Sequence, residues 1–287
     1  MGGYDIITSV LIKLERDISM SKFTYNSTVI EYEIIGNGTP ILFLHGWGMD
    51  RRMMTGCFEP VFANLNNYRR IYIDLPGMGL STAGDVTSSD DMLVILHTFA
   101  EEIIGEEFII AGESYGGYLA RGFVKEYPQM VNGVILLCPL VYPGSRQGRV
   151  EPLTVIKRDD EFLGTLTKEQ YDSFTYMNVV LTQSVYERYS KDIMPAIEIQ
   201  NRHFLDDVLN GSCTFDVDQL EQPFEAPCLI IVGKQDTEVG YKDQFDLLKS
   251  YPNATYCAIN GAGHNLQIEQ PELFEIIVKQ WLVDSYS

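Results

Sequence analysis

Glu107-Phe108-Ile109-Ile110-Ala111-Gly112-Glu113-Ser114-Tyr115-Gly116-Gly117 is the stretch that decides how this chain folds. Its apolar, partly β-branched run reads as a buried strand. The segment Tyr118 to Tyr127 then reads as a helix that stops at Pro128. A serine between strand and helix must make a sharp turn, and the glycines two residues either side permit it. Without side chains there, strand and helix approach closely while Ser114 is thrust forward in a strained conformation.

G-x-S-x-G recurs by chance too often to stand alone, so its context carries the weight. His45-Gly46-Trp47-Gly48 follows the strand-like run Ile41-Leu42-Phe43-Leu44. Asp236 lies in Val232-Gly233-Lys234-Gln235-Asp236, after the apolar run Cys228 to Ile231. His264 lies in Gly261-Ala262-Gly263-His264-Asn265, after Thr255 to Ile259. Each candidate sits just past a strand, in a loop containing glycine. A further loop, Asp74-Leu75-Pro76-Gly77-Met78-Gly79-Leu80-Ser81, follows the strand-like Arg70 to Ile73.

With the order Ser, Asp, His, these segments resemble the α/β-hydrolase superfamily from Phe23 to Val283. The resemblance implies an α/β fold with a mostly parallel central sheet flanked by helices and an inserted helical cap. Its core covers 21–140 and 223–287, its cap 141–222, and an N-terminal extension 1–20. The resemblance also implies a Ser114–His264–Asp236 triad. A serine hydroxyl is a poor nucleophile at neutral pH and needs a base as it attacks. His264 is expected to take its proton while Asp236 fixes the ring's tautomer. The backbone N–H groups of Trp47 and Tyr115 are the expected oxyanion donors. His45 and Asp74 are read as loop-organising residues. Glu113 either repels anionic substrates or hydrogen-bonds behind the turn.

The 287 residues are 45% hydrophobic, enough for a full core. The 21 basic and 40 acidic side chains leave a formal charge of −19, which repels nucleic acid and anionic membranes. No run approaches the roughly 20 apolar residues needed to cross a bilayer. Five cysteines without metal-like spacing suggest free thiols in a reducing compartment, so the cytoplasm is the expected location. No metal, cofactor or disulfide is indicated, and the sequence is silent on oligomeric state.

Within the insert, Lys168–Asn178 and Val185–Leu209 read as helical. Tyr171, Phe174, Tyr176, Met177, Tyr186 and Tyr189 are expected mostly to hold these helices together, with a minority facing a pocket. Met92–Ile104, carrying His97, and the terminal Glu269–Val283 read as helices, His97 as a helix-surface residue and His203 as a surface or packing residue. The expected partner is a small molecule and the expected reaction is hydrolysis of a small, largely apolar carboxylic ester through an acyl-enzyme. Serine as nucleophile disfavours the dehalogenase and epoxide hydrolase branches. C–C bond hydrolases and proline iminopeptidases remain alternatives, although the latter usually carry tryptophan where this chain has Tyr115. A ligand receptor with slow or single-turnover hydrolysis is the alternative of another class.

Overall fold

The structure, a computed structural model, describes residues 20–213 and 216–286. Apart from Met20, the expected N-terminal extension lies outside these residues.

One sheet contains β1 (Ser21–Tyr25), β2 (Thr28–Ile35), β3 (Thr39–Leu44), β4 (Tyr68–Ile73), β5 (Phe108–Glu113), β6 (Val131–Leu137), β9 (Cys228–Gly233) and β10 (Ala254–Ile259). A separate two-residue ribbon pairs β7 (Lys157–Arg158) with β8 (Val180–Leu181). The longer helices are α1 (Arg51–Phe58), α2 (Ser89–Phe99), α3 (Tyr115–Glu126), α4 (Lys168–Thr175), α5 (Gln183–Asp192) and α6 (Pro271–Tyr286).

The strand order is β1-β2-β4-β3-β5-β6-β9-β10. The β1–β2 and β2–β4 pairs are antiparallel, and every later pair is parallel. β3, β5, β6 and β9 are nearly continuous, buried apolar runs, because helices cover both faces. Ile41, Phe43, Ile109 and Ile231 pack with Met54 and Phe58 of α1 and Phe274 and Val278 of α6. Their neighbours Leu42, Leu44, Ile110 and Ile230 belong to the opposite layer, with Leu96 of α2 and Leu119 of α3. This alternation is the pleat's period of two.

The helix after the turn starts at Tyr115, earlier than the expected Tyr118, and ends at Glu126. Gly116 and Gly117 are weak helix formers, which hid the first turn from a propensity reading. The expected helix Val185–Leu209 is broken into α5, a short helix Met194–Glu198 and a wide turn Phe204–Leu209. Pro195, lacking an N–H, is accommodated in the first turn of the middle piece. The insert has its own apolar cluster, including Leu163, Phe174, Val185 and Tyr189, joined by Met53 and Ile268 of the core.

Candidate active site

The carboxyl ends of the parallel strands lie along one edge, and the direction of winding reverses between β3 and β5. Such a switch point opens a crevice. Ser114 sits at this crevice with φ 50° and ψ −112°, a conformation side chains rarely adopt. The glycines make the crossing possible: a Cβ on Gly116 would lie 2.2 Å from the Leu44 carbonyl oxygen. Backbone thus meets backbone where β3 passes under the start of α3. Ser114, Trp47, Tyr115 and His264 all line a cavity of about 700 Å³.

Asp236 and His264 follow β9 and β10. His264 Nδ1 lies 2.8 Å from Asp236 Oδ2. The other carboxylate oxygen, Oδ1, accepts from the N–H groups of Glu238 (2.8 Å) and Val239 (2.9 Å). These bonds leave Asp236 little freedom, at 1% exposure. The His264 loop is fixed from behind by Glu269, which accepts from the N–H groups of Gly263, Val179 and Val180. That single carboxylate ties the loop to the insert, and its burial raises its pKa despite these donors.

Glu113 is the residue whose role the sequence left open. At 1% exposure, its Oε1 lies 3.3 Å from His264 Nε2. Burial pushes its pKa up to about 7, with the facing imidazole pulling the other way. For His264, burial favours the neutral ring, but Asp236 and then Glu113 overcome it and raise the pKa to about 9. Among the described residues no hydrogen bond joins Ser114 Oγ to the ring. A carboxylate directly before the serine, at a position the strand pattern buries, was the only signal the sequence offered.

The backbone N–H groups of Trp47 and Tyr115 have no protein acceptor among the described residues. The two rings meet edge to face, 5.2 Å apart. Tyr115 N–H also stands at the positive end of α3, a favourable place for negative charge. Behind Trp47, fully buried His45 donates from Nδ1 to the Gly46 carbonyl and accepts at Nε2 from Leu75 N–H. Burial lowers its pKa, and the neutral ring joins two loops. Asp74 accepts from Arg51 and from Leu80 N–H, organising its own loop as expected.

His203 is exposed and pairs with Asp207, while His97 stacks on Tyr127 at 3.9 Å between ring centres. In the insert, Phe174 packs against Tyr186 and Tyr189, whereas Met177 and Tyr189 reach the cavity. Tyr176 is exposed. Cys138 has a sulfur within 4.8 Å of ligand atoms of Asp236 and His264. Both of those side chains are already joined to each other. All five cysteines are free thiols.

A family model described as alpha/beta hydrolase fold matches residues 39–271. The crystal structure of an alpha/beta superfamily hydrolase from Oenococcus oeni PSU-1 is 32% identical in sequence. It covers 93% of this chain and 100% of its own, with a TM-score of 0.83. A pimeloyl-[acyl-carrier protein] methyl ester esterase from Shewanella woodyi is 32% identical over 111 residues. That match spans 39% of this chain and 40% of the esterase, less than half of either. Human monoacylglycerol lipase ABHD6 is 24% identical over 82% of this chain and 73% of the lipase.

Proposed function

The chain belongs to the alpha/beta hydrolase family, and we propose that it is a serine hydrolase cleaving a small, largely apolar carboxylic ester. The observation that carries this reading is the 2.8 Å pairing of His264 with buried Asp236, facing the cavity that Ser114 also lines. In this reaction Ser114 Oγ attacks the ester carbonyl as its proton passes to His264 Nε2. Asp236 stabilises the imidazolium formed. Trp47 and Tyr115 N–H receive the developing oxyanion. Collapse expels the alcohol, which takes the proton from His264. Water then attacks the acyl-enzyme, with the same imidazole as base.

Residues 141–222 act as a lid over this chemistry. Pro143, Arg146, Met177, Tyr189 and Ile193 from that segment line the cavity, which supports a role in shaping the substrate site. The apolar part of the lining, with Met49, Met53, Ile193 and Ile197, suits a short acyl or alkyl chain. A cytoplasmic setting is in keeping with the free thiols. Among the described residues no helix is long and apolar enough to cross a membrane.

The test is cleavage of p-nitrophenyl acetate and butyrate by the parent and by Ser114→Ala. The variant should lose at least about a thousandfold in kcat/KM. A fluorophosphonate should label the parent at Ser114 alone. Equal activity in the two proteins would defeat the reading. A panel adding diketo-acid and prolyl-amide substrates separates esters from C–C bonds and peptides, and multiple turnovers on esters count against a receptor.

A further inference from the structure

His264 lies between two carboxylates, Asp236 at Nδ1 and Glu113 at Nε2. The nitrogen that must accept the serine proton therefore faces Glu113. Glu113 has little room to leave: its Oε2 is wedged against Gly46, where a Cβ would come within 2.1 Å. The groups facing the ring are Asp236, Glu113, Glu238 and the Cys138 thiol, with Glu269 behind the loop. Glu113 in turn faces His264 and Asp236, with the thiols of Cys57 and Cys138 nearby. Within this set the imidazole is the one group that can carry positive charge.

We propose that Glu113 is a positioning residue that holds His264 Nε2 in the resting site and sets the pH at which the imidazole becomes a base. The inference rests on the serine-hydrolase reading and adds a residue that reading does not use. With Glu113 ionised, an imidazolium is held by two anions, and a protonated Nε2 cannot take the Ser114 proton. As pH rises the Nε2 proton passes to solvent. The ion pair dissolves, and the lone pair left on Nε2 can accept from the Ser114 hydroxyl. When attack protonates Nε2 again, Glu113 stabilises the product of that transfer. One carboxylate thus opposes the start of the reaction and favours its progress.

Glu113→Gln, which keeps shape and removes charge, tests this against the parent and Glu113→Asp. The side chains of the four histidines are titrated by NMR, and kcat/KM for p-nitrophenyl acetate is followed against pH. Removing one close opposite charge should lower the His264 midpoint by about one to three units. The acid limb of kcat/KM should move down equally, while the alkaline plateau falls. Glu113→Asp should stay near the parent midpoint. An unchanged His264 midpoint in Glu113→Gln, or a uniform loss of rate with an unmoved limb, overturns the proposal. In the parent alone, a midpoint at or below the ordinary value of about 6.5 overturns it with no variant needed. A falling midpoint without serine-dependent hydrolysis supports the link between Glu113 and the ring, and defeats only the hydrolase reading.

Discussion

Gly116 shows how much of this site rests on single atoms. It stands in the first turn of α3, where alanine would ordinarily favour the helix. A Cβ there meets the oxygen and carbon of Leu44 at 2.2 and 2.6 Å, both backbone atoms of the neighbouring strand. Gly116→Ala should therefore destabilise the fold by about 2–3 kcal/mol, seen as a lower urea midpoint. A variant as stable as the parent would mean that the two backbones part without cost. The places of Ser114, Asp236 and His264 just past apolar runs were readable because a strand that ends in a glycine-bearing loop leaves a pattern. The contact between Glu113 and His264 was not. It depends on where the strained turn aims a side chain, and on the space Gly46 leaves, neither of which spacing encodes.

At the scale of elements, α3 is locked to the closing stretch of the insert. Fully buried Arg121 meets Asp218 through Nε (2.6 Å) and Nη2 (3.2 Å), and also donates to the carbonyls of Gly117 and Leu140. Removing the partly exposed Asp218 leaves a guanidinium stranded in the interior, whereas removing Arg121 leaves an acid that water can reach. Asp218→Ala should cost about 3 kcal/mol. Arg121→Met should cost clearly less. Chemical denaturation of both variants checks the order, and the reverse order would reject this account. Parallel strands announced themselves through unbroken apolar runs, since both faces are covered. The insert was less legible: its apolar positions repeat helically across Pro195, so periodicity joined pieces that the backbone separates.

For the molecule as a whole, the charge of −19 sets a background of self-repulsion that folding must overcome. Salt should relieve it. Going from about 0.01 M to about 0.15 M shortens the screening length from about 30 Å to about 8 Å, so Tm should rise. A Tm that falls or stays level over this range would show that local ion pairs, such as Arg70 with Glu59, outweigh the net charge. Composition made this expectation available, while the partition of acids between paired and free required the fold. One last property follows from the strand order. β9 docks on β6 and β10 on β9, both after the long insert has been made. A growing chain therefore completes the strand-to-helix turn at Ser114 well before His264 is made, so the pairing of His264 with Asp236 is the last part of this cavity's wall to form.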